Sequence, residues 1–172
     1  WQLAADAKKI NPDLKVSILR WRTPAWVKKD EDRYIWYKQS ILAAYEKYGY
    51  MVDYINPNVN EAWSGAGDVK YTKKFAKWIA AESTATIKDE KALELFRKIK
   101  LVVSDEANVV SDSVAETMKS DQEFMDAVDV VGYHYKTADD NNGGMKWLAE
   151  VVDKEVWNSE EQATFSNSAF RP

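Results

Sequence analysis

Two glutamates stand where runs of strand-forming residues end. The first closes DYINPNVNE (53–61), where Glu61 follows Asn60. The second lies in EVWNSEEQATFS (155–166), where Val156 and Trp157 suit a strand and Glu160 and Glu161 follow two small polar residues. Two carboxylates that flank one bond can hydrolyse a glycoside. One protonates the leaving oxygen, and the other attacks the anomeric carbon or activates water. Either motif by itself is most often plain surface polarity. The pair gains meaning only if the architecture brings both strand ends to one place.

The pattern along the chain supplies such an architecture. Apolar, β-rich runs at 15–21, 51–61, 100–108, 128–135 and 153–161 predict five strands. Helical spacing predicts helices at the N-terminus, stopped by Asn11-Pro12, and at 33–50, 69–84 and 89–99. One or two more are predicted over 111–128, and a short one over 145–152. Gly49 is a plausible helix stop, and Pro57 inside the second strand hints at a bulge. Strands that alternate with helices imply βα units and a parallel sheet. Polar groups gather where each strand ends: Trp21-Arg22, Asn60-Glu61, Ser104-Asp105-Glu106, His134-Tyr135 and Ser159-Glu160. The active site of a (β/α)8 barrel is built from the C-terminal strand ends.

Composition narrows the chemistry further. The 172 residues contain no cysteine, which excludes disulfides, thiol catalysis and thiolate metal sites. A net charge of −4 gives no case for nucleic acid, and no apolar run is long enough to span a membrane. Eight Trp and nine Tyr exceed what so small a core needs and suit a cleft for flat sugar faces. No GxGxxG or Walker loop is present. The run DDNNGGMKWLAE (139–150) matches some calcium-loop positions, but it lacks an acidic or amide residue at the fifth and reads as a polar turn. Lone His134 is either a structural residue or part of a site, and Asp105 and Glu106 are either supporting carboxylates or a polar loop. No cofactor and no metal is expected. The compartment is not identified, and a secreted or extracellular setting is the expectation.

The ordered motifs resemble glycoside hydrolase family 59, the galactosylceramidase-type β-galactosidases. WQLAADAKKINPDLKVSILRWRTPAW resembles that family's third barrel strand with its preceding helix, ending in a Trp–x–x–Pro–x–Trp loop. DYINPNVNE resembles the fourth strand, and VVSDEAN, VDVVGYHY and EVWNSEEQATFS the fifth, sixth and seventh. The resemblance implies one catalytic-barrel segment over residues 1–172: a partial (β/α)8 TIM barrel of about strands three to seven, with parallel strands and outer helices. It implies a retaining β-galactosidase-like hydrolase with Glu61 as acid/base and Glu160 as nucleophile. Asn60 matches the residue that binds the sugar 2-hydroxyl. Trp21 matches a pocket aromatic, and His134 and Tyr135 match the polar end of strand six. Glu161 stands where the family has Asp. Asn56-Pro57-Asn58 departs from the family pattern toward family 30 of the same clan, and residues 84–91 are extra length. A carbohydrate-binding barrel without turnover, or a family 30-like glycosidase of other sugar preference, would keep the same carboxylates. The implied partner is a carbohydrate or glycolipid. Self-association through open sheet edges is a further expectation, and the isolated segment is expected to be inactive.

Overall fold

The computed structural model describes residues 1–134 and 143–160, with the side chains of 107–109 left aside. Five strands, β1 (Ser17–Arg20), β2 (Tyr54–Val59), β3 (Lys100–Ala107), β4 (Val130–His134) and β5 (Glu155–Glu160), form one sheet in the order β1-β2-β3-β4-β5. Every pairing is parallel. Sequential parallel strands joined by right-handed crossovers carry their helices on one face. That order defines a segment of a (β/α)8 barrel and rules out a doubly wound sheet.

The helices are α1 (Gln2–Ile10), α2 (Asp30–Tyr48), α3 (Ala66–Ala81), α4 (Glu90–Phe96), α5 (Asn108–Ser120), α6 (Gln122–Ala127) and α7 (Gly143–Glu150). Local chemistry sets several of their ends. Gly49 takes the left-handed conformation (φ 76°) that stops α2, and its amide donates to the Tyr45 carbonyl at 2.8 Å. Asp89 and Asp121 cap α4 and α6 by accepting the amides of Ala92 and Phe124. The Asp121 cap divides the 111–128 stretch into two helices. Helix α2 begins three residues earlier than its apolar spacing predicts. Asp30, Glu31 and Asp32 occupy its first turn, where the helix dipole favours anions. Asp32 also accepts the amides of Lys28 and Lys29, both at 3.0 Å.

Alternate strand residues face the helices. Ile55 and Leu101 join Tyr37, Ile41, Phe75 and Phe96 in one apolar cluster. Val103 and Val131 join Val114, Met118, Phe124 and Leu148 in a second. The opposite face is concave. Tyr54 on β2 meets Trp157 on β5 edge to face, with ring centroids 4.7 Å apart. In a flat sheet these strands would lie three spacings, roughly 14 Å, apart. The sheet therefore curls as a barrel wall does. The bulge predicted at Pro57 is present: Ile18 pairs with Ile55 but Arg20 pairs with Val59, so β2 holds extra residues there. The Pro57 carbonyl accepts from Arg20 Nε at 3.2 Å.

Candidate active site

The C-terminal strand ends bring together residues that are far apart in sequence. Glu61 follows β2 in the left-handed region (φ 53°), and its amide donates to the Asp105 carbonyl at 3.2 Å. Such backbone strain is tolerated where surrounding contacts fix it, often at functional sites. Glu160 ends β5. Between the two glutamates lies His134, the last residue of β4, with only 2% of its side chain exposed. Its Nδ1 is 3.2 Å from Glu61 Oε1 and 3.8 Å from Glu160 Oε2. Nδ1 therefore lies within reach of both carboxylates. One ligand-type atom from each of Glu61, His134 and Glu160 lies within 4.8 Å of the others. The same set could approach a cation, but two half-exposed carboxylates converging on one point also match what a glycosidic bond requires.

The surroundings are acidic and buried. Asp105 sits in a β3 bulge where Ser104 (φ 71°) and Asp105 (φ 53°) are both left-handed. Its carboxylate accepts from Asn56 Nδ2 at 2.7 Å and Ser159 Oγ at 2.6 Å. Glu106 is buried and accepts the Trp63 amide at 2.5 Å, which holds the loop after Glu61. Burial pushes the Glu106 carboxyl up from its ordinary value, and the charge of Glu61 adds to the rise. Asn60 is 3% exposed; its amide donates to the Arg20 carbonyl, and its Oδ1 has no hydrogen-bond partner among the described residues. A buried acceptor without a partner is uncommon and marks this position for attention.

Trp21, just past β1, is 60% exposed, and the structure ties it to none of these side chains. Tyr135 and Glu161 lie outside the described residues. Sequence reasoning left Asp105 and Glu106 undecided, placed Ser159 only among the polar strand ends, noted Asn56 only as a departure from the family pattern, and missed Trp63 and Gly132. A signal existed for Gly132, because glycine inside a strand often marks a close approach. A side chain there would collide with Asp105 Oδ1 and lie 2.8 Å from Ser159 Oγ.

A parallel barrel segment with two glutamates converging at its C-terminal strand ends has the architecture of a barrel glycosidase. The model of glycosyl hydrolase family 59 matches residues 1–170, and the chain belongs to that family. It is 25% identical over 177 residues to the galactocerebrosidase of Mus musculus, covering 98% of this chain and 22% of the relative. It is 28% identical to the galactocerebrosidase of Salmo salar over 97% of this chain and 23% of that one. The chain thus spans under a quarter of the length of these curated relatives. The crystal structure of SrfJ from Salmonella typhimurium superposes with a TM-score of 0.68 at 18% identity, over 98% of this chain and 40% of that one. That likeness shows the fold. Family membership makes this a glycosyl hydrolase family 59 sequence. Among the described residues, no helix is long and apolar enough to cross a membrane.

Proposed function

We propose that the chain carries the catalytic carboxylate pair of a retaining β-galactosidase-like hydrolase. One observation carries this reading: carboxylate oxygens of Glu61 and Glu160 lie within 4.8 Å of one another across the barrel mouth. Retaining enzymes hold their carboxyl groups about 5–5.5 Å apart, and inverting enzymes about 6.5–9.5 Å apart to admit a water. Glu160 attacks the anomeric carbon as Glu61 protonates the departing oxygen, giving a covalent glycosyl-enzyme. Glu61, now ionised, takes a proton from water, which releases the sugar. Asn60, whose buried Oδ1 has no partner among the described residues, is the residue that the family resemblance assigns to the sugar 2-hydroxyl. The family resemblance assigns Trp21, His134 and Tyr135 to sugar binding, and of these His134 stands beside both glutamates. The name galactocerebrosidase in the relatives supports a β-galactosyl lipid as substrate.

The 172 residues alone are inactive on this account. Strands β1 and β5 end the described sheet, and positioning by further pocket walls is worth a large share of the rate. Among the described residues each of these strands has a strand neighbour on one side only, which favours pairing with further strands, from longer chain or a second copy. A 172-residue chain that stays monomeric in sedimentation at high concentration would count against pairing through a second copy. Purified 172-residue chain that hydrolyses aryl galactosides would refute the inactivity.

The test of function is incubation of the full-length protein with an activated 2-fluoro-β-galactoside, followed by intact mass and peptide mapping. The expected result is one glycosyl adduct, on Glu160. A full-length protein that never accumulates an adduct, or that carries it elsewhere, overturns the assignment.

A further inference from the structure

We infer that Asp105 is a positioning residue that fixes the two glutamates against each other. The inference rests on the carboxylate roles proposed above, and Asp105 itself need not touch the sugar. Three contacts converge on this one residue. Its carboxylate reaches β2 through Asn56 Nδ2 at 2.7 Å and β5 through Ser159 Oγ at 2.6 Å. Its backbone carbonyl receives the amide of Glu61 itself at 3.2 Å. Its Oδ1 also lies 4.0 Å from His134 Nε2, on the far side of the ring from the nitrogen that faces Glu61 and Glu160. Asp105 therefore grips the residue before Glu160, the backbone of Glu61 and the charge environment of the imidazole between them.

The path between β3 and β5 exists because β4 is thin at that point. Asp105 must cross the intervening strand to meet Ser159, and it does so over Gly132. A Cβ on Gly132 would occupy the position of Asp105 Oδ1. The backbone is shaped to the same end, since two consecutive non-glycine residues, Ser104 and Asp105, hold positive φ. Each such residue costs on the order of 1–3 kcal/mol and persists only when its surroundings over-determine it. Here the surroundings are the hydrogen bonds from Asn56, Ser159 and Glu61. Strain at this bulge is thus coupled to the placement of both glutamates.

Four variants separate this role from general support of the fold. Asp105→Asn keeps the size and removes the charge facing His134, while its NH2 can still donate to the Ser159 hydroxyl, so this variant tests the charge and reverses the β5 tie rather than deleting it. Gly132→Ala leaves Asp105 intact and displaces it. Ser159→Ala removes only the β5 tie, and Ser159→Thr keeps the hydroxyl. His134 is the sole histidine, so 15N NMR of the 172-residue chain reports its two ring nitrogens without ambiguity. Labelling by the 2-fluoro galactoside is followed in the full-length protein.

Asp105→Asn and Gly132→Ala are expected to move both ring-nitrogen resonances. They slow labelling by about 10- to 100-fold with apparent substrate affinity nearly unchanged, the signature of lost positioning. Ser159→Ala gives a smaller loss of the same kind, and Ser159→Thr restores the parental rate. Gly132→Ala combined with Ser159→Ala is no slower than Gly132→Ala alone, because the displaced Asp105 has already lost its Ser159 tie. Ring resonances that coincide with the parent in Asp105→Asn and Gly132→Ala overturn the inference, as do losses that multiply in the double variant. If Asp105→Asn does not fold, the Ser159 pair decides: displacement with Ala but not Thr supports the tie, and no displacement with either refutes it. A parent that is never labelled, while Gly132→Ala and Ser159→Ala still displace the ring resonances and Ser159→Thr does not, refutes the proposed catalysis and leaves the Asp105 tie standing.

Discussion

The two ends of the same sheet handle charge in opposite ways. At the N-terminal end, carboxylates meet amides and amines. Asp53, just before β2, accepts the Val16 amide at 2.9 Å, at the entry to β1, and pairs with Lys15 at 3.1 Å. Asp129, just before β4, repeats the device by accepting the amide of Leu101 on β3 at 2.8 Å. Half-buried Lys154 donates to the carbonyls of Met125 and Val128, and its partial burial pulls its ammonium below the ordinary lysine range. At the C-terminal end, Glu61, Asp105 and Glu160 all face one imidazole, and Glu106 lies in the same field. Three of the four positive-φ non-glycine residues among those described are also there: Glu61, Ser104 and Asp105. One end satisfies each charge locally and fixes successive strands. The other accumulates like charge and strain, which local stability does not favour and which a reaction can use.

The largest expected effect is a test of that division. Glu160→Ala in the full-length protein removes turnover, by about three orders of magnitude or more, while the thermal midpoint hardly moves. A large fall in melting temperature would show that the chemical end also holds the fold. Glu61→Ala comes next, and its effect depends on the leaving group. Hydrolysis of substrates with poor leaving groups falls by roughly 10²–10⁴-fold, whereas the first step on activated aryl glycosides, which need no proton, is spared. Equal losses with both substrate types contradict the acid/base assignment.

At the opposite end the readout reverses. Asp53→Ala or Asp129→Ala leaves a strand amide unpaired and costs about 1–3 kcal/mol of unfolding free energy in denaturant titration. Turnover per folded molecule stays at the parental value. A variant of either kind that keeps full stability but loses activity would break the distinction between the ends.

The smallest effects are pH-dependent and opposite in sign. Burial opposes ionisation of Glu82, but hydrogen bonds from Lys38, Thr86 and Tyr34 outweigh it and hold its carboxyl below the ordinary range. Its stabilisation is present above the unfolded value of about 4.3 and is lost as pH falls through the depressed folded value. The Glu106 carboxyl is raised, so its contribution is present below the unfolded value and is lost as pH rises through the folded one. Glu82→Gln should therefore be less stable than the parent near neutral pH and Glu106→Gln more stable, with both differences shrinking as the pH falls. Stability curves that stay parallel to the parent across pH 3 to 7 (about the carboxylate range) would refute both assignments.

Most of the fold was legible because it rests on periodicity. Val102, Val103, Val130 and Val131 form unbroken apolar strand runs, and Ile41, Ala44 and Tyr37 keep helical spacing. Helix starts were less legible. At α2 the first turn is the charged run Asp30-Glu31-Asp32, which has no apolar period and resembles a loop. Within the site, Glu61, His134 and Glu160 could be picked out because strand ends are where barrel chemistry sits. Asp105 could not be separated from Glu106. Adjacent acidic residues in an ideal strand point to opposite faces, but the two left-handed residues of the bulge decide which contacts each makes. The same holds for Ser159, whose role depends on the space above Gly132 and is expressed only after β3, β4 and β5 have paired.

The central claim is that the spacing of Glu61 and Glu160 sets a double displacement. Proton NMR of the first-formed sugar, recorded before mutarotation as the full-length protein cleaves an aryl β-galactoside, tests it directly. The account predicts that the β-anomer appears first and the α-anomer follows only by mutarotation. Initial release of the α-anomer would mean a single inverting displacement, and the proposed roles of Glu61 and Glu160 would be contradicted.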